Sequence, residues 1–187
     1  MIKIGYQGIT NSNSEEAAKN FVKKMGFKEY LLLPLVSSFN VLDNVANGKI
    51  EYGVVAYENN TGGKVIETVQ TLKFLDITLV DTITIPINHY LFVKDKSIKI
   101  KDIEAIASHP QAFTQCSHNL DKFFFDVPLI KDEDTATAAR KLNLNLFNKN
   151  TAVLCRLNAG KDNNLHLLKS NLEDKDDNTT TFKVFTK

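Results

Sequence analysis

Four short stretches of the chain gather the small hydroxyl, amide and glycine residues that let a backbone approach an anion closely. They are Gln7 to Ser14, Glu58 to Gly63, Ser108 to Gln111 and Asp134 to Thr135. Each lies between a strand-like and a helix-like run, where unpaired N–H groups and the partial positive charge of a helix start collect. Singly, each reads as turn and capping chemistry; together they point to a site for a small anion. Of the four histidines, His109 follows a strand and precedes Pro110, the best placement for a functional role, while His89, His118 and His166 lie in structural contexts. The chain has no G-x-G-x-x-G, P-loop, nucleophile elbow or H-E-x-x-H, so nucleotide cofactors and zinc lack motif support. Cys116 and Cys155 have no metal-ligand spacing and read as small buried residues.

The elements that must position these stretches follow from the hydrophobic pattern. Ile2 to Tyr6 reads as a strand, and Ser14 as the N-cap of a helix carrying Ala17, Ala18, Phe21, Val22 and Met25 and ending at Gly26. A shorter helix starts near Phe39. Tyr52 to Tyr57 is a strand buried on both faces, and Val65, Val69 and Leu72 mark the helix after its polar exit loop. Leu79 to Ile87 and Tyr90 to Val93 are extended, with Pro86 at an edge or crossing. Further alternation follows: a strand to Ala107, a helix to Leu120, a strand near Val127 to Ile130, a helix from Thr135 to about Leu146, a strand Thr151 to Cys155 and a last strand Thr180 to Phe185. This order predicts an α/β fold with largely parallel sheets.

The 187 residues suffice for one domain or two small lobes. Lys and Arg, 23 in all, nearly cancel 22 Asp and Glu, so no net field favours a nucleic acid or an anionic membrane. No apolar run approaches the ~20 residues that span a bilayer, and the first residues have no signal-peptide core, so a cytoplasmic protein is expected. Arg140 and Arg156 are the two arginines.

Read together, the loops resemble the catalytic domain of prephenate dehydratase. Tyr6-Gln7-Gly8 with Ser14-Glu15-Glu16-Ala17-Ala18 is similar to that family's Y-Q-G-x-x-G-x-x-S-x-x-A-A opening, with Asn11 in place of a glycine. Glu58-Asn59 with Gly63, Val65, Glu67 and Thr68 resembles E-N-x-x-x-G-x-V-x-E-T. Ser108-His109-Pro110-Gln111-Ala112 to Gln115-Cys116 matches S-H-P-Q-A-x-x-Q-C, and Asp134-Thr135-Ala136 with Ala138-Ala139 matches D-T-A-x-A-A. Leu172-Glu173-Asp174, Asn178, Thr180 and Phe182 keep the spacing of the closing I-Q-D-x-x-x-N-x-T-R-F.

The resemblance implies a two-lobed periplasmic-binding-protein-like (type 2) fold with mixed, mostly parallel sheets and flanking helices. Lobe 1 is expected over residues 1–80 plus 160–187, lobe 2 over 81–159, with the substrate cleft between them and no ACT regulatory domain or phenylalanine feedback. It implies a lyase of phenylalanine biosynthesis that converts prephenate to phenylpyruvate, water and carbon dioxide without a cofactor or a metal. Thr180 is the implied catalytic residue, assisting departure of the ring hydroxyl; Ser14, Asn59, Gly63, Ser108, His109, Thr135, Thr181 and Phe182 are the implied substrate-binding residues. The implied partner is prephenate or a similar carboxylate, with no nucleic acid or membrane, and a homodimer is the assembly to test. Thr181 stands where the motif has its substrate-holding arginine. That departure keeps two alternatives open: a non-catalytic or divergent paralogue binding a small carboxylic acid, and a prephenate decarboxylase.

Overall fold

A computed structural model describes residues 1–187. In chain order the elements are β1 (Ile2–Tyr6), α1 (Asn13–Met25), β2 (Tyr30–Pro34), α2 (Ser38–Ala46), β3 (Tyr52–Asn59), β4 (Gly63–Lys64), α3 (Ile66–Thr71), β5 (Thr78–Pro86), β6 (Tyr90–Val93), β7 (Ala105–Ser108), α4 (Pro110–Gln115), α5 (Ser117–Phe123), β8 (Leu129–Lys131), α6 (Thr135–Asn143), β9 (Thr151–Cys155), α7 (Leu157–Asp162), β10 (His166–Lys169) and β11 (Thr179–Thr186). They form two compact units: residues 1–87 with 177–187, and residues 88–176. These boundaries fall later than 80 and 159. β5 pairs with β11 along nearly its whole length and stays in the first unit, whereas β10 pairs with β6 and holds residues 166–169 in the second.

The first unit is built on a sheet of order β2-β1-β3-β11-β5, with β4 hydrogen-bonded to β3. β1 runs parallel to β2 and β3; β11 is antiparallel to both β3 and β5. The period-2 alternation of strands sends Val54, Phe182 and Val184 to one face, against Ala17, Ala18 and Phe21 of α1, and Val55 and Phe185 to the other, against Val41, Leu42 and Val45 of α2. At Gly53 an added Cβ would stand 2.6 Å from a methyl of Val45, so only glycine lets α2 pack this closely on the sheet.

Helix α1 begins two residues earlier than the sequence suggests. Its N-cap is Ser12, not Ser14: the Ser12 hydroxyl accepts from the Glu15 N–H, and the Glu15 carboxylate reaches back to the Asn11 N–H at 2.8 Å. Ser12 and Glu15 hold the three-residue spacing of a capping box, which decides between two nearby serines. Strand β2 had no counterpart in the hydrophobic reading. It is an edge strand whose Leu-rich run ends in Pro34, with Tyr30 and Leu31 exposed, and it lacks both alternation and full burial.

The second unit has a sheet of order β10-β6-β9-β7-β8. β7 pairs in parallel with β8 and β9, while β6 is antiparallel to β9 and β10. Both sheets are thus mixed, with a larger antiparallel share than strand and helix alternation predicts, because β11 runs antiparallel between β3 and β5, and β6 antiparallel between β9 and β10. The core of this unit packs Leu91, Ile106, Phe113, Leu120 and Phe124 around Leu154 and Leu172. The predicted helix through Leu120 is two helices, α4 and α5, broken at Cys116. No helix in the chain is long and apolar enough to cross a membrane.

Candidate functional site

The closest association among the expected site residues joins Asn59, last in β3, to Thr180, second in β11, 121 positions apart. A β-bulge makes it possible. Thr181 lies opposite Glu58 and Phe182 opposite Ala56, so Tyr57 is an extra residue in β3. One inserted residue reverses the facing of everything beyond it, which brings Asn59 rather than Glu58 to the face that carries Thr180. The bulge is held by its neighbours. The Ala56 N–H donates to the Gln7 side-chain oxygen at 3.1 Å, the Thr68 hydroxyl donates to the Ala56 carbonyl at 2.7 Å, and the Val65 N–H donates to the Tyr57 carbonyl. The first two residues of these pairs, Gln7 and Thr68, belong to the sequence motifs and act here on backbone.

The amide of Asn59 has an unambiguous orientation. Its Oδ1 accepts from the Thr61 N–H at 3.0 Å, the Gly62 N–H at 2.8 Å and the Thr61 hydroxyl at 2.6 Å, so Nδ2 must face the other way. Nδ2 lies 2.9 Å from Thr180 Oγ1, Asn178 Oδ1 and the Thr179 carbonyl, all acceptors. Thr180 therefore receives a hydrogen bond from Asn59, and its own hydroxyl proton stays available to a third group. Asn60 closes the same junction by accepting from the Thr179 N–H and donating to the Asp177 carbonyl. Asn59 is buried and Thr180 half-buried, so the pair sits at a shielded edge where a hydrogen bond weighs more than in bulk water. Gly63 lies beyond, exposed and at φ 76°, in the left-handed region that favours glycine.

Thr181 and Phe182 stand apart from this pair. Strand alternation turns Thr181 to the opposite face, where its hydroxyl is 3.1 Å from that of Thr84 and its cross-strand neighbour is Glu58. On that face Lys183 rests its ammonium 3.4 Å from the centre of the Tyr57 ring. Phe182 is 1% exposed and fills the core under α1, so its contribution is to fix β11 rather than to meet a ligand. Ser14 is buried in the first turn of α1.

In the second unit the expected residues also turn out to hold backbone. Ser108 is fully buried and its hydroxyl donates to the Leu154 carbonyl at 2.6 Å, tying β7 to the end of β9. His109 caps α4: Nδ1 accepts from the Gln111 N–H at 3.1 Å, which leaves Nε2–H of the neutral ring as a half-buried donor. Thr135 opens α6, whose N-cap Asp134 accepts from the N–H groups of Ala136 and Thr137 and from the Thr137 hydroxyl. Much of the donor capacity expected for an anion at these junctions is thus taken up by capping side chains, Ser12, His109 and Asp134. One buried grouping joins the motif residues Gln115 and Glu173 to a histidine outside the motifs. His89 is 5% exposed, contacts Gln115 Oε1 through Nε2 at 2.9 Å, leaves Nδ1 without a partner, and gives its N–H to Glu173. Its apolar flanks, Ile87 and Tyr90 to Val93, gave no signal beyond a strand.

Burial raises the pKa of both Cys116 and Cys155, and Asp174 and Glu173 add to the effect at Cys116, so both thiols stay protonated and inert. No three of the His, Cys, Asp and Glu side chains are grouped to hold a metal ion.

The family model of prephenate dehydratase matches residues 4–187. The chain belongs to the prephenate dehydratase family. A bifunctional chorismate mutase/prephenate dehydratase of Enterobacter agglomerans is 29% identical across 97% of the chain and 46% of its own length, and arogenate dehydratase 2 of Petunia hybrida is 26% identical across 97% and 44%. The chain thus spans just under half the length of these relatives. The solved prephenate dehydratase of Arthrobacter aurescens, in complex with L-Phe, superposes with a TM-score of 0.85 at 20% identity, covering all of this chain and 60% of that one. The likeness gives this prephenate dehydratase family member the periplasmic-binding-protein-like (type 2) α/β fold.

Proposed function

We propose that this chain is a prephenate dehydratase, converting prephenate to phenylpyruvate, water and carbon dioxide, and that the Asn59–Thr180 pair is its reacting centre. In the reaction the bond from the ring to its carboxylate breaks, its electron pair aromatises the ring, and the ring hydroxyl leaves as water with one added proton. Thr180 supplies that proton and regains one from solvent. The observation that carries the reading is the polarity of the pair: Asn59 donates to Thr180 Oγ1, which points the threonine proton outward and strengthens it as a donor. In the first unit Gly63 admits the substrate closely, while Ser14, Thr181 and Phe182 hold the strands and the helix start around the pair; in the second unit the Nε2–H of His109 and the hydroxyl of Thr135, on elements tied together by Ser108, are donors of the kind that bind a carboxylate. No cofactor takes part, because orientation and one proton transfer suffice. The protein acts in the cytoplasm, on a small carboxylate, and as a homodimer.

The test is to mix purified protein with prephenate, follow phenylpyruvate by its ultraviolet absorbance and identify products by mass spectrometry, with arogenate in parallel. Thr180→Val keeps the shape and deletes the hydroxyl; turnover should fall by about 10² to 10⁴. A variant that keeps its rate within about threefold, ~0.65 kcal/mol at the transition state, removes Thr180 from the chemistry. Release of carbon dioxide with the ring hydroxyl retained would make the protein a decarboxylase, and binding without products would make it a carboxylate-binding paralogue.

A further inference from the structure

A cavity of about 780 Å³ opens on the second unit, lined by none of the residues assigned to prephenate. Ile100, Phe123, Phe125 and Leu168 are among its apolar walls, and Lys99 and Lys101 line it as well. The three consecutive phenylalanines at 123–125 are not explained by packing alone. Phe124 enters the core at 5% exposure, whereas Phe125 is 78% exposed, a large apolar cost for a side chain with no partner. Cations crowd the same place. The Lys169 ammonium is 3.7 Å and that of Lys122 is 5.1 Å from the Phe123 ring centre. None of these four lysines belongs to an ion pair. No carboxylate lines the cavity; the neighbouring Asp102 turns its carboxylate back to the Lys99 N–H at 2.9 Å, and Asp121 and Asp126 lie at exposed positions beside the phenylalanine run.

An apolar floor under ammonium groups with no counter-charge is complementary to an anion with an apolar body. A bare inorganic anion would leave the phenylalanines wet, and a neutral hydrocarbon would leave the lysines uncompensated. The volume lies within the ~300–1,000 Å³ of small-molecule sites. We propose that this cavity binds a small carboxylate with an aromatic or branched apolar body, its body against Phe123 and Phe125 and its carboxylate among Lys99, Lys101 and Lys169. This site is separate from the Asn59–Thr180 pair and does not depend on the activity proposed for it.

The probe is 3-phenylpropionate titrated into the full chain, with backbone amide NMR as the readout and 3-phenyl-1-propanol as the neutral control. Saturable shifts are expected at residues 99–103, 122–127 and 168–169, with a Kd on the order of 1 mM and binding of the alcohol at least about fivefold weaker. Lys99→Gln with Lys101→Gln should erase the preference for the acid, and Phe125→Ala should weaken both ligands; all three side chains are exposed, so the fold is retained. No saturation by about 10 mM, equal affinity for acid and alcohol, or shifts confined to the surroundings of Asn59 and Thr180 would overturn the site. So would concentration-dependent shifts of the same residues without ligand, which would identify a second copy of the chain as the occupant.

Discussion

The direction of one hydrogen bond organises the site. Because Asn59 Oδ1 is taken by the Thr61 and Gly62 N–H groups, Nδ2 has to donate toward Thr180, and the threonine proton is released for other use. Asn59→Asp tests this directly. A carboxylate keeps the bonds to the Thr61 and Gly62 N–H groups but offers only acceptors on the other side, so Thr180 would turn its proton toward residue 59. Turnover should fall about 10²-fold or more with a much smaller change in KM, a split read from steady-state kinetics. The substitution of the family's arginine by Thr181 belongs to a different face. Thr181→Arg would place a guanidinium across from Glu58, away from the Thr180 hydroxyl. The expected outcome is a gain of roughly 0.2–1 kcal/mol in denaturant unfolding, with kcat changed by less than about threefold. A large rise in kcat would instead assign the arginine a direct part in holding the substrate.

At the level of elements, the bulge in β3 is what converts two ordinary strand ends into a hydrogen-bonded pair. Its freed Ala56 N–H has Gln7 as its acceptor, and Gln7 comes from the end of β1, so the site's geometry depends on a side chain from a third stretch of chain. Gln7→Ala leaves that N–H without its partner in a half-buried position. It should cost about 1–3 kcal/mol of stability and lower turnover as well, since a relaxed bulge would return Glu58 to the face of Thr180. Combined chemical denaturation and activity measurements would reveal both losses; loss of stability with full activity would mean that the bulge persists without Gln7. The helix starts show the same economy: His109 and Asp134 terminate α4 and α6 and bring the Thr135 hydroxyl and the His109 Nε2–H to the helix ends.

Across the whole molecule, one buried group ties stability to pH. Burial holds the pKa of His89 below its ordinary value of 6.5, against smaller opposing effects of the Gln115 hydrogen bond and the Glu173 charge. The unfolded chain then binds a proton at this position before the folded one does, so the His89 contribution is complete above pH 6.5 and is lost as the pH falls through the depressed folded value. Melting curves between about pH 8 and pH 5 should show stability declining on the acid side, and His89→Gln should flatten that decline; an unchanged slope would assign it to the carboxylates. The family, the α/β class and the motif residues are legible along the chain, because hydrophobic period, capping residues and turn chemistry are local. Even the Ser12–Glu15 cap is written in a three-residue spacing. Which of those residues act on one another depends on how distant strands pair. The strand β2 is an edge whose pairing with β1 no periodicity announces, and the antiparallel share of the sheets depends on which strands meet. Above all, a single inserted residue at Tyr57 sets the parity of β3, and parity is a property of two paired strands. It brings Asn59 and Thr180 together across 121 residues and turns Thr181 away.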